Sequence, residues 1–203
     1  DMTVGNAIFL GSEAKANWAS RLVVSDGKTV NLTGPLSVSS SKVLVGTGGR
    51  FVLAGGVTGS RFIATGYDNA TVEIAEKPMT LTGTFFVGGP GWNVENNKVV
   101  LSVAGNTTTG LYGFDNCTLK LGVDNPFAAP VPFAPQTGKK FNIDLNGHNL
   151  DLGSCANEGA GYGDTSSCTI LNSATTGTIP TVSVAQENDN SGVGEVGAAV
   201  VFS

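Results

Sequence analysis

Residues 114–121 read FDNCTLKL, and the same pattern stands twice upstream, as SDGKTVNL at 25–32 and YDNATVEI at 67–74. Each copy sets an Asp-Asn or Asp-Gly pair ahead of Thr, then Val or Leu, a spacer, and Ile or Leu. The aspartates fall at 26, 68 and 115, so the period is 42 and then 47 residues. GDTSSCTIL at 163–171 is a fourth, more widely spaced copy. A second landmark moves in step, PLSVSSSKVLVG at 35–46 against PMTLTGTFFVG at 78–88. Two landmarks repeating in phase mark stacked supersecondary units.

The physical content of the unit is a turn followed by a strand. Asp-Asn and Asp-Gly bond their own backbone and tolerate turn conformations, and the β-branched and Leu residues behind them favour a strand. Each period holds several short runs (VLVG, FVLAG, FIATG; then TLTG, FFVG, VVLSVAG), nearly all closed by Gly, where a solenoid turns its corner. A period of this length with this many strands is two coils. The reading predicts an all-β chain, a right-handed parallel β-helix of seven to nine coils forming a rod about 35–45 Å long at the ~4.8 Å strand spacing. Residues 1–203 form one such domain, with 1–20 as an N-terminal cap over the open end, 126–140 as an insertion loop and 155–168 as a second loop.

Composition narrows the class. With 40% hydrophobic residues the chain is not disordered, and with 29 Gly and 13% charged residues it reads as all-β. The net charge of −5 and the scattered Lys and Arg exclude a nucleic-acid partner, which needs a clustered basic surface. No apolar run approaches the ~18–20 residues of a transmembrane helix. No leader is visible at Asp1, so an exported form would be the mature one.

The stretch 117–154 carries more than strand alternation. A Leu-rich strand runs into GVDN (122–125), followed by a Thr137-Gly138 turn, IDLNGHN (143–149) and LDLG (150–153); farther on comes TILNSATTGTIPTVSVA (169–185). This series resembles the autotransporter-associated β-strand repeat of bacterial surface and secreted proteins, over residues 111–185. The resemblance implies an exported, right-handed β-solenoid that in most members is not catalytic. The proline-rich 126–135 segment and the Cys155…Cys168 loop depart from that pattern.

Chemistry-bearing residues are few. Of three cysteines, 117, 155 and 168, none fits a zinc spacing. Cys155 and Cys168 flank a Gly/Ser/Asn-rich loop that a disulfide would close, worth about 3 kcal/mol in the chain-entropy model, and Cys117 is left facing the core. His148, the only histidine, sits in an Asn-Gly-His-Asn turn. Asp68, Asp115, Asp144 and Asp164 are the carboxylates open to a catalytic role, because β-helix polysaccharide enzymes project carboxylates from one sheet face. Asp68 and Asp115, two coils apart, would stand about 10 Å from each other, too far to share a proton; their ordinary role is to form turns. Residues 187–192, with Asp189 at their centre, offer oxygen ligands that calcium could use without matching a known calcium loop; no other cofactor is expected. Trp92, Tyr67 and Tyr112 are the aromatics placed to meet a carbohydrate.

These residues lead to two expectations. The first is a secreted or surface-exposed solenoid that binds or adheres to extracellular glycoprotein or polysaccharide, since solenoids offer long faces without a deep pocket. The second is a secreted aspartate-dependent hydrolase of mucin-like glycoprotein or polysaccharide.

Overall fold

The computed structural model describes residues 1–11, 20–88, 94–114, 117–135, 140–155, 167–174, 180–185 and 199–202. The chain winds in coils of up to three short strands. The first coil is β1 (Met2–Val4), β2 (Ile8–Leu10) and β3 (Arg21–Val24); the second is β4 (Thr29–Leu32), β5 (Leu36–Val38) and β6 (Ser41–Val45). The third is β7 (Arg50–Leu53), β8 (Val57–Gly59) and β9 (Phe62–Gly66), and the fourth β10 (Thr71–Ile74), β11 (Met79–Leu81) and β12 (Thr84–Val87). Then the middle strand shrinks to single bridges. β13 (Asn97–Leu101) is followed by Thr107, which bridges Thr80, and by β14 (Gly110–Gly113); β15 (Cys117–Leu121) is followed by Phe127, which bridges Asn106, and by β16 (Val131–Pro135). The last coils are β17 (Lys140–Asp144) with β18 (Leu150–Cys155), β19 (Ser167–Leu171) with β20 (Val182–Ala185), and β21 (Ala199–Phe202).

Corresponding strands stack in parallel into three sheets. Sheet A runs β1-β4-β7-β10-β13-β15-β17-β19-β21, sheet B β2-β5-β8-β11, and sheet C β3-β6-β9-β12-β14-β16-β18-β20. No helix occurs among the described residues. The fold is the expected parallel β-solenoid with stacked coils. Nine rungs at the ~4.8 Å strand spacing make sheet A about 38 Å long.

Alternation along each strand decides what is buried. In β10, Val72 and Ile74 are fully buried while Thr71 and Glu73 face outward. In-register stacking then turns buried positions into columns. Leu32, Leu53, Ile74, Leu101 and Leu121 stand one above another, each at most 1% exposed. Phe62 and Phe85 stack at 5.9 Å between ring centroids, and Phe133 meets Phe141 at 5.5 Å. Each such ring contributes about 1.5–3 kcal/mol on leaving water. Cys117 is among these core residues, and burial pushes its thiol well above the ordinary range.

The corners explain the glycine punctuation and the doubled period. A Cβ on Gly55 would lie 2.0 Å from the carbonyl oxygen of Gly34, because successive backbones touch there. At the corner leading into sheet A, the Asp26 carboxylate reaches the next coil and accepts the Thr47 N–H at 2.9 Å. That coil carries Gly46, whose Cβ would meet the carboxylate at 2.3 Å. An Asp-bearing turn therefore sits beside a Gly-bearing turn. Asp68 repeats the device two coils after Asp26, accepting the Glu95 N–H of the following coil at 2.9 Å. This is why Asp recurs every second coil.

Two segments differ from expectation. Residues 1–11 open with β1 and β2 in full register with β4 and β5, so this part of the expected cap is itself the first coil; residues 12–19 lie outside the described residues. The proline-rich 126–140 stretch is not an insertion: it contains β16, a member of sheet C between β14 and β18. Pro132 is tolerated there because the β16–β18 register shifts between Val131 and Phe133, a bulge at which a missing N–H costs no ladder bond.

Candidate functional site

Each sheet presents a chemically distinct outer face. Sheet A is charged: Arg50 on β7 pairs with Glu73 on β10, and Ser102 donates to the same carboxylate at 2.6 Å. Sheet B carries small hydroxyls, with Ser37, Thr58, Thr80 and Thr107 on successive rungs, and the Ser37 and Thr58 hydroxyls stand 3.3 Å apart. Sheet C is aromatic. Its outward row reads Lys42, Ile63, Phe86, Tyr112 and Ala134 across five rungs.

The aromatic row is built by doubling the apolar positions in these strands. Phe62, Phe85 and Leu111 point into the core, and the residue after each, Ile63, Phe86 and Tyr112, points out. Phe86 stacks on Tyr112 with centroids 5.1 Å apart and an interplanar angle of 18°, and on Phe114 at 5.5 Å and 17°. The Arg61 guanidinium lies over the Phe86 ring, 5.5 Å from its centroid, a cation–π contact. Phe86 and Phe114 are buried, Tyr112 is half-buried, and Tyr67, just past the end of β9, is 43% exposed. Two of the three aromatics expected to meet a ligand thus lie on or at the edge of one face. Trp92 falls outside the described residues.

Asp144 is buried where three coils meet. Its carboxylate accepts the Ser173 hydroxyl at 2.7 Å, the Ser173 N–H at 2.9 Å, the Asn146 N–H at 3.0 Å and the Lys120 ammonium at 3.2 Å. Burial alone would raise its pKa, but the Ser173 hydroxyl and N–H, Lys120 and the Asn146 N–H outweigh it and hold the carboxyl below its usual range. A carboxylate so held is a poor general acid or base near neutrality. Lys120 also donates to Ser173 Oγ at 3.0 Å. The arrangement ties β15, β17 and the segment after β19 together.

Asp68 is exposed in its turn, with its carboxylate engaged by the Glu95 N–H. His148 closes a turn through its N–H to the Leu145 carbonyl at 2.8 Å, and its Nδ1 lies 3.2 Å from Asp124 Oδ1. Asp124 also accepts the Asn149 N–H at 2.9 Å. That bond, with the His148 contact, lowers the Asp124 pKa. Among the described residues no three His, Cys, Asp or Glu converge as a metal site, and no helix is long and apolar enough to cross a membrane. Asp115, Asp164 and the 187–192 segment around Asp189 fall outside the described residues. Cys168 is buried in the core opposite Phe141, whereas the Cys155 side chain, and with it the expected bridge, lies outside them.

Lys120, Ser173, Phe86, Phe114 and Arg61 were not singled out by sequence reasoning. The usable signal was the coil register. Lys120 stands opposite Asp144 on neighbouring strands, and Phe86 and Tyr112 each follow a core position on neighbouring strands. Comparison with protein-family models, curated proteins and solved structures finds no match.

Proposed function

We propose that this chain is a secreted or cell-surface binding module that contacts extracellular glycoprotein or polysaccharide through the outer face of sheet C around Tyr112. The observation that carries the reading is the stacked Phe86–Tyr112–Phe114 set with Arg61 over it. Tyr112 is the half-buried member of this set and offers a ring and a hydroxyl to the C–H face and hydroxyls of a sugar, while the buried Phe86 and Phe114 rings fix the stack it belongs to. Export rests on the resemblance of residues 111–185 to the autotransporter-associated repeat. The binding reading is favoured over hydrolysis by Asp144, whose carboxylate is occupied by four donors.

The test is binding of a mucin-type glycoprotein and of soluble polysaccharides to the immobilised chain. Tyr112→Ala should weaken binding about 3- to 10-fold, the worth of one aromatic stack, with Thr80→Ala on sheet B as the silent control. Equal binding by the parent and Tyr112→Ala would remove the site from this face. Turnover of the glycoprotein by the parent, abolished by Asp144→Asn with the fold intact, would replace the reading with the hydrolase.

A further inference from the structure

Asn-Gly occurs once in the chain, at Asn146-Gly147, in the corner between β17 and β18. The pair forms the centre of a tight turn. Its φ angles are 47° at Asn146 and 84° at Gly147, and the His148 N–H closes the turn on the Leu145 carbonyl at 2.8 Å. Two consecutive positive φ values mark a type I′ turn, for which Asn-Gly is a preferred pair. The same pair is chemically labile. Glycine has no side chain to shield its amide nitrogen, so that nitrogen can attack the asparagine side-chain carbon, Cγ.

The reaction needs two groups to be free. Base removes the Gly147 amide proton, and the nitrogen bonds to Asn146 Cγ. The Cγ–Nδ2 bond breaks, and the NH2 group takes up a proton and leaves as ammonia. Water then opens the cyclic imide at either carbonyl, giving aspartate, or isoaspartate with the backbone running through Cβ. Here both groups are engaged. The Gly147 N–H donates to Asn172 Oδ1 at 2.8 Å, and Asn146 Nδ2 donates to the Leu121 carbonyl at 3.0 Å. Leu121 ends β15 and Asn172 follows β19, so the coils on either side of β17 each hold one of them. Gly147 is exposed and Asn146 half-buried, so water and base reach the pair. What restrains the reaction is hydrogen bonding, not burial.

We propose that Asn146-Gly147 is a deamidation site held closed by the two neighbouring coils, and that opening of the Asn172 contact releases it as a one-way switch. The product acts on the Asp144 tie. The Asn146 N–H donates to Asp144 Oδ1 at 3.0 Å, and the Ser173 hydroxyl faces Asn146 Oδ1 at 3.4 Å. A carboxylate at 146 therefore adds negative charge beside Asp144, and like charges disfavour each other. Isoaspartate also lengthens the backbone inside a turn whose ends are fixed by β17 and β18. The reaction needs only water, and loss of ammonia makes it irreversible.

The test compares the folded parent with the parent unfolded in urea, both kept in mildly alkaline buffer. Peptide mapping by mass spectrometry follows the exchange of NH2 for OH at 146, and chromatography separates isoaspartate from aspartate. The folded chain should react at least about tenfold more slowly, because the rate follows the population of the opened corner. Asn172→Ala should quicken the folded chain about three- to tenfold, the contribution of one hydrogen bond, with circular dichroism unchanged. Asn149→Ala removes a different corner contact, to the Thr181 N–H, and should leave the rate alone. Amide exchange at Gly147 should quicken in Asn172→Ala only. The comparison of folded with unfolded parent stands even where a variant fails to fold. A folded parent that reacts as fast as the unfolded chain overturns the proposal. So does a folded Asn172→Ala chain that keeps the parent rate, or an Asn149→Ala chain that matches it in speed. Deamidated parent should unfold at lower urea than the intact chain, and an unchanged midpoint overturns the switch.

Discussion

Between β4 and β10, Thr29, Arg50 and Thr71 stand opposite one another at intervals of 21 residues. Beyond β10 the intervals become 27, 20, 24, 27 and 32, read along Thr71, Lys98, Thr118, Asn142, Thr169 and Val201. In the regular half each coil has three strands, and glycine backbones meet at the corner between sheets A and B. In the other half sheet B fades to bridges, and polar side chains take over the corners. Asn106, fully buried, accepts the Met79 N–H at 2.9 Å and donates to the Pro126 carbonyl at 2.9 Å. Asn149 accepts the Thr181 N–H at 2.9 Å, and Asn172 the Gly147 N–H at 2.8 Å. Where coil length varies, backbones no longer coincide at this corner, and an Asn side chain spans the difference. The regular half is thus held by its core columns, and the irregular half depends in addition on named polar contacts.

The largest expected effect sharpens that contrast. Phe85→Ala empties a fully buried site in a three-stranded coil, where its ring stacks on Phe62. It should cost about 3–5 kcal/mol in urea unfolding, because tightly registered neighbours cannot collapse into the space. Phe127→Ala removes the same group where sheet B is a single bridge and the ring is 7% exposed. It should cost about 2 kcal/mol, since looser surroundings relax further. Equal costs would show that the two halves are equally rigid.

Next comes the Asp144 tie. Asp144→Ala strands the Lys120 ammonium and the Ser173 and Asn146 donors, and should cost about 1–3 kcal/mol at neutral pH. The sign of the pH dependence follows from the lowered folded-state pKa. The contribution is complete above the unfolded value, about 3.9, and is lost as pH falls through the lower folded value. Parent and variant should therefore differ most at neutral pH and converge in acid, below about pH 4. A gap that persists in strong acid would mean Asp144 acts through packing rather than charge.

The regular half was the legible half. Its turn and strand residues recur in phase, so coil number and strand positions follow from SDGKTVNL and YDNATVEI. The Gly-bearing turns between them do not repeat the Asp motif, because Gly46 receives the neighbouring aspartate, and their coils are read from the period length and from runs such as FVLAG. β8 was missed as well: VTG is three residues long and is held by its neighbours. In the irregular half, Pro126, Pro130, Pro132 and Pro135 spoke locally for a loop, yet pairing with β14 on one side and a bulge toward β18 on the other imposed a strand. The candidate site was legible only in part. Tyr112, Tyr67 and Asp144 could be picked out by residue type. Their partners Phe86, Lys120 and Ser173 lie one coil away, visible only once register is known.

The smallest expected effect concerns Asp68, the corner aspartate of the regular half. Its carboxylate oxygen accepts the Glu95 N–H at 2.9 Å from an exposed turn. Asparagine keeps an acceptor oxygen in the same place and is equally suited to the turn. Asp68→Asn should therefore move stability by no more than about 0.5 kcal/mol, the usual range for a surface exchange. Glycoprotein binding should stay at the parent level, because the substituted atom serves the next coil rather than the outer face of sheet C. The comparison that gives this meaning is Asp144→Asn, which keeps one acceptor oxygen for the Asn146 and Ser173 N–H groups but replaces the other, facing the Ser173 hydroxyl and Lys120, by an uncharged NH2 donor. If corner aspartates in both halves act only through the one oxygen that accepts backbone N–H groups, both variants should be nearly silent. If the irregular half depends on the ion pair as well, only Asp144→Asn should lower the urea midpoint, with the difference vanishing in acid. A loss at Asp68 as large as that at Asp144 would mean that the regular half, too, is held at its corners and not by its core columns.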